Sequence, residues 1–238
     1  GKKVPIQEFV DVANNYGFGL LGSLFQSLLP MPFSPLCPCA NFDNDRIRDF
    51  LVVIYEMFSR LHPDLLRIRK ARFEMLLDNE NNAKEILLET PKDSTSFPND
   101  VMKAALIGSK DKNHILMSII SSLVNSGKDE DAVDILLLTK QFKEAARILV
   151  SIGDVETVLQ ILATRLRDDN DGRKKLIDAL VNALKSKKYL VQAAALLIAD
   201  RRLNLAADLL NEAGLECVGA IVQNVKLDGD EISLNFKQ

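Results

Sequence analysis

Tryptophan is absent from this 238-residue chain, and tyrosine occurs three times. Few aromatic rings are left to stack on bases, which disfavours single-stranded nucleic acid as a ligand. Cysteine is scarce: Cys37, Cys39 and Cys217 form an odd set with two members almost adjacent. That is no disulfide framework, and a reducing compartment is the default. Cys37-Pro38-Cys39 lacks the further ligands that a structural zinc site needs, so no metal is expected. His62 and His114 have no nucleophile or carboxylate at motif spacing, and no catalytic set emerges. No apolar run reaches the roughly 20 residues that span a bilayer. No secretory leader pattern opens the chain, whose Gly1 in place of Met reads as a processed chain or a piece of a longer one. The net charge of −3 lacks the basic balance of a general nucleic-acid binder.

One absence is local. Residues 12–42 carry no charge at all, in a chain that is 26% charged as a whole. Within them, Leu20, Leu21, Leu24, Phe25 and Leu28 share one helical face, opposite Gly22, Ser23, Gln26 and Ser27. Pro30, Pro32, Pro35 and Pro38 then force an extended exit. Three readings are open. The face packs into the chain's own core; it docks in a partner's groove; or it enters a bilayer interface. The second and third assign Leu20, Leu21, Leu24, Phe25, Leu28 and Phe33 as contact residues. Gly17, Gly19 and Gly22 also match G-x-G-x-x-G, and Asp43 stands at the distance of a ribose-binding acid. That fingerprint needs a strand before it and a βαβ series after it, and the sequence offers neither.

The rest of the chain is a ladder of short amphipathic helices. Glu130-Asp131-Ala132-Val133, Lys143-Glu144-Ala145-Ala146, Val155-Glu156-Thr157-Val158, Val191-Gln192-Ala193-Ala194 and Asn204-Leu205-Ala206-Ala207 each precede aliphatic residues at helical spacing. Their starts recur about every 12 to 13 residues, the length of a three-turn helix plus a tight turn. Small residues allow close helix approach, and Leu and Ile fill the grooves. Gly127 and Gly153 follow apolar runs, as residues just past a helix end do. Asp154 is placed to cap a helix start, and Pro63 and Pro98 fit first-turn positions. Longer helices are expected at 46–62, 64–77 and 173–185, with loops at 89–99 and 168–172. Asp228-Gly229 ahead of alternating Ile232, Leu234 and Phe236 signals a hairpin.

Arg67, Arg69, Lys70 and Arg72 form a basic cluster that serves either as a solvated face or as a contact for acidic surfaces, headgroups or RNA backbone. Ser34 and Thr90, each followed by proline, lie in predicted loops and are candidate phosphorylation sites.

The run Glu144-Ala145-Ala146-Arg147-Ile148, Val158-Leu159-Gln160-Ile161 and Arg173-Lys174-Lys175-Leu176-Ile177 resembles the α-solenoid of vesicle-coat, tether and intraflagellar-transport scaffolds. It is similar, too, to the C-terminal helices of inner-ring nucleoporins. The resemblance covers roughly residues 113–215. It implies a non-catalytic scaffold without cofactors, cytoplasmic or peripheral to a membrane or the nuclear envelope. Its partners would be other protein subunits of a larger assembly. RNA binding by the helical repeat, or nucleotide chemistry at Gly17-Gly19-Gly22, are the other function classes.

The expected fold is all-α: a right-handed stack of about ten short antiparallel helices with a short β-hairpin at the C-terminus. The expected divisions are an uncharged segment 1–42, a helical subdomain 43–90, a helical-repeat domain 91–226 and a tail or hairpin 227–238. In the scaffold reading, removal of residues 1–42 leaves the helices folded and abolishes partner capture.

Overall fold

The computed structural model describes residues 2–26, 28–29, 57, 63–92, 97–107, 114–166 and 169–235. Among these residues the chain is mostly helical, with thirteen helices and a small three-stranded sheet. In chain order the elements are β1 (Lys3–Pro5), α1 (Ile6–Asn15), α2 (Gly19–Gln26), α3 (Pro63–Leu76), α4 (Glu80–Leu88), α5 (Phe97–Leu106) and α6 (His114–Asn125). They continue as α7 (Asp129–Leu138), α8 (Phe142–Ile152), α9 (Val155–Thr164), α10 (Asn170–Ser186), α11 (Leu190–Ala199), α12 (Leu203–Glu212), α13 (Glu216–Asn224), β2 (Val225–Asp228) and β3 (Glu231–Leu234). The helix expected at 46–62 lies outside the described residues, apart from Met57.

One turn, used eight times among the described residues, generates the ladder. In each case a helix runs into a residue with positive φ, and the following helix begins two residues later. The positive-φ residues are Gly17, Asp78, Gly127, Lys140, Gly153, Lys188, Arg201 and Gly214. The N–H just after each donates five residues back, for example Gln141 to the Leu136 carbonyl at 2.8 Å and Leu215 to Leu210 at 2.8 Å. This is the Schellman closure, which satisfies a helix-end carbonyl while reversing the chain. The accepting carbonyls of Leu123, Leu136 and Leu149 stand thirteen residues apart, as do those of Leu184, Leu197 and Leu210. The recurrence visible in the sequence is therefore the pitch of this helix–turn unit.

The turn makes a paired prediction. Gly214 has φ +77 with open space around its α-carbon, so Gly214→Ala adds only backbone strain. It is expected to lower stability by about 1 kcal/mol. Lys188 occupies the same position with φ +61. Lys188→Gly relieves that strain and is expected to raise stability by roughly 0.5–1 kcal/mol. Urea denaturation of both variants checks the opposite signs.

Tight packing follows from the small residues. Ala132, Ala145, Ala146, Ala193, Ala194, Ala195, Ala206 and Ala207 are all buried. Gly219 shows the limit of approach, since a β-carbon there would lie 3.1 Å from the Ala207 carbonyl oxygen. Asp154 caps α9 by accepting the Thr157 N–H at 3.1 Å. Helix α10 starts earlier than expected. Asp169 accepts the Gly172 N–H at 2.9 Å and caps a turn that its composition suggested was loop.

The chain forms two compact units. Unit 1 contains Gly1–Asp43 and Leu166–Gln238; unit 2 contains Asn44–Arg165. In unit 1, α1 packs on α2, α2 on α11, and α10 to α13 follow one another. Its sheet has the order β1-β3-β2, antiparallel throughout, with Val4 opposite Ile232 and Leu227 opposite the same residue on the other side. The hairpin is the expected one; its third strand, Lys3–Pro5, was not foreseen. In unit 2, α3 packs on α4, α7 and α9, and α5 on α4 and α7. Ala71, Met75, Ala83, Ile86, Leu87, Ala104, Ile107 and Leu138 form a core there.

Candidate interaction surfaces

The uncharged segment is placed by its two helices. Its glycines come first: Gly17 provides the positive φ between α1 and α2, and Gly22 lies against α1, where a β-carbon would meet Asn14 Oδ1 at 2.1 Å. A helix, not a strand, precedes Gly17. The phosphate-cradling geometry of a dinucleotide site is therefore not built here, and the glycines serve a helical hairpin.

The apolar face of α2 turns inward. Leu21, Leu24, Phe25 and Leu28 are buried, and the Phe25 ring meets Phe9 edge-on with centroids 5.1 Å apart. Leu20 is half-buried, and Phe33 lies outside the described residues. Of the three readings open from the sequence, burial matches packing into the chain's own core. The face expected to meet a partner is already occupied by α1 and α11. What the hairpin leaves outside is its tip, with Val12, Tyr16 and Phe18 exposed.

The basic cluster on α3 is spent internally in a similar way. Arg67 lies 3.6 Å from buried Asp100, Arg69 3.8 Å from Glu156, and Arg72 3.5 Å from Glu130. Arg72 also donates through Nε to Asp134. Lys70 is half-buried. Three of the four cations thus face carboxylates of unit 2, which leaves little free charge for a phosphate backbone. The residue that organises this region was missed by sequence reading. Asp134 looks like one more solvated acid of the ladder, yet it is buried and binds both Arg72 and the buried Lys103. Burial alone would lower the pKa of both cations; the charge and hydrogen bonds of Asp134 outweigh it and raise both. Thr90, offered as a phosphorylation site, is buried too, and its one hydroxyl proton is shared between Asp100 at 2.7 Å and the Leu87 carbonyl at 2.9 Å.

Nearby, Arg165 lies over the Phe142 ring at 5.0 Å while donating to Asp78 at 3.0 Å and to the Met75 carbonyl at 3.1 Å. These contacts tie α3 to the segment after α9 by cation–π attraction and hydrogen bonds.

Helix α6 carries three of the exposed large apolar residues of unit 2. Leu116 and Ile120 are buried, whereas Met117, Ile119 and Val124 are exposed beside Ser118, Ser121 and Ser122. The signal was present in the sequence: no Asp, Glu, Lys or Arg occurs between Lys112 and Lys128. It was overshadowed by the longer uncharged run at 12–42.

Among the described residues no group of three or more His, Cys, Asp or Glu converges as a metal site. Cys217 is exposed and free, while Cys37, Cys39 and His62 lie outside the described residues. No described helix is long and apolar enough to cross a membrane. No family model matches this chain, and no curated protein matches it.

Proposed function

We propose that this chain is a non-catalytic scaffold subunit of a multi-subunit assembly, engaged through helix surfaces. The observation that carries this reading is the repeated helix–turn unit, closed eight times by the same positive-φ turn. An architecture of that kind presents extended surfaces to proteins. The exposed apolar residues of α6, which flank its buried stripe on both sides, are the contacts favoured here, since Met and aliphatic side chains beside small polar ones suit a protein interface. In line with the resemblance to coat, tether and inner-ring scaffolds, the assembly would be of the trafficking or nuclear-pore kind, with the chain cytoplasmic or at a membrane periphery.

The test uses the endogenous protein. Native size-exclusion chromatography is expected to place it in a particle much larger than a single chain. Met117→Glu with Ile119→Glu is expected to release it from that particle while its circular dichroism stays unchanged. Elution of the unaltered protein at single-chain size would remove the proposal.

A further inference from the structure

The sheet of unit 1 has two edges, and they differ. β1 forms one; it is three residues long and ends in Pro5, which has no N–H to offer. β2 forms the other and contains no proline. Its register decides which groups it leaves open. Asp228 stands opposite Glu231 across the two-residue turn Gly229-Asp230, and Gly229 has the positive φ, +59, of a type II′ turn. Residue pairs beyond such a turn alternate between hydrogen-bonded and non-bonded. The Asn235 N–H donating to the Asn224 carbonyl at 3.0 Å continues the bonded set. The peptide groups of Val225 and Leu227 therefore point away from β3. The Val225 N–H is taken by the Val222 carbonyl at the end of α13, which leaves Leu227 as the edge donor, with the Leu227 and Val225 carbonyls as acceptors, unpaired among the described residues.

Val225 and Leu227 also line a pocket of about 470 Å³, completed by residues 201–205 at the start of α12. That volume falls in the range of ligand-binding clefts. Leu205 is 51% exposed, and Leu203 and Leu227 are partly exposed. Arg202 is held by Asp178 and by Asp200. Arg201 differs: both of its η nitrogens donate to the Gly229 carbonyl at 3.0 Å, and it forms no ion pair among the described residues. Lys226 adds a second exposed cation on the strand, whereas Asp228 is engaged by Lys3. One region thus combines an open strand edge, a pocket lined by leucines and a valine beside polar groups, and an unneutralised guanidinium.

We propose that β2 is a docking edge for an extended peptide segment of a partner, with an apolar side chain in the pocket and an acidic side chain against Arg201. Main-chain bonds to Leu227 give such a mode its affinity, and the pocket and Arg201 give it selectivity. This inference goes beyond the scaffold reading and uses a different surface, so loss of one leaves the other standing.

The test pans a phage library of short random peptides on the intact chain, then measures the selected consensus peptide by fluorescence anisotropy. The expected consensus alternates apolar residues and contains Glu or Asp. Hydrogen exchange of the β2 segment is expected to slow on binding. N-methylation of alternate peptide amides should weaken binding by about tenfold or more while leaving the protein untouched. Leu227→Pro removes an edge donor that β3 does not use and should do the same, whereas Leu227→Ala keeps that donor and should weaken binding less. Arg201→Glu should cost the acidic peptide about tenfold and its Gln analogue little. Equal affinity after N-methylation, a consensus without acid, or no consensus at all overturns the proposal. Sedimentation showing a dimer that Leu227→Pro dissolves also overturns it, because the occupant is then a second copy.

Discussion

Asp134→Ala is expected to destabilise unit 2 by about 3–5 kcal/mol, a large part of the stability of an ordinary domain. Asp134 is the common acceptor for Arg72 on α3 and Lys103 on α5, and it stands on α7. All three side chains are almost withdrawn from water, with 13%, 5% and 6% of their surface left for Arg72, Lys103 and Asp134. Removing the anion leaves two buried cations whose remaining ion-pair partners, Glu130 and Asp131, are more exposed. The penalty comes from stranded charge rather than lost attraction, and a second variant separates the two. Replacing all three residues together by Met, Met and Leu removes the charges in balance and is expected to cost far less, or nothing. If the triple variant is as unstable as Asp134→Ala, packing rather than charge governs this site. Hydrogen exchange resolved to the peptides of α7 reads unit 2 separately from unit 1. The pH dependence carries a further sign. The folded-state pKa of Lys103 is raised from 10.5, so its contribution is fully present below that value and is lost as pH rises through the folded pKa. The gap between the unaltered chain and Asp134→Ala is therefore expected to narrow above pH 10.5.

The local layer of this fold is legible in the sequence. The thirteen-residue recurrence, the turn glycines 127 and 153, the Asp154 cap and the C-terminal hairpin all depend on neighbours within a few residues. Periodicity and cap chemistry reveal such features. Three things were illegible for one shared reason. Lys3–Pro5 becomes a strand only because Ile232 and its neighbours, more than two hundred residues away, complete the ladder. Asp134 is buried only because α3 and α5 bring Arg72 and Lys103 to it. Arg67, Arg69 and Arg72 read as a free patch because their carboxylate partners are distant in sequence. In each case a non-local contact overrides what composition suggests, and single-sequence patterns do not encode which distant residues meet. The positive-φ turns at Asp78, Lys140, Lys188 and Arg201 were hidden for another reason. Glycine marks a left-handed turn in a sequence, and a side chain that tolerates the strain leaves no mark.

The uncharged helix α2 supplies the second large effect. Leu24→Glu is expected to unfold unit 1, with exchange protection lost in α1, α2, α11 and the sheet. Leu24 and Phe25 have no accessible surface, and α2 is held between α1 and α11. A carboxylate at position 24 enters a site of aliphatic and aromatic groups, and burying an unpaired charge costs several kcal/mol before any lost packing is counted. Phe25→Ala gives a graded version: loss of the ring against Phe9 is expected to cost about 3–5 kcal/mol. The same geometry reverses an expectation drawn from the sequence. Removing residues 1–42 takes away β1, α1 and α2 together, and with them one edge of the sheet and one side of α11. The remaining helices of unit 1 are then expected to lose cooperative unfolding, rather than to stay intact without a partner. A tip substitution provides the contrast. Phe18 lies at the α1–α2 turn with 58% of its surface exposed, so Phe18→Glu should leave the urea midpoint nearly unchanged. If Leu24→Glu instead keeps full protection and only partner capture fails, α2 is an interface after all. Burial in the isolated chain would then describe a closed state that a partner opens.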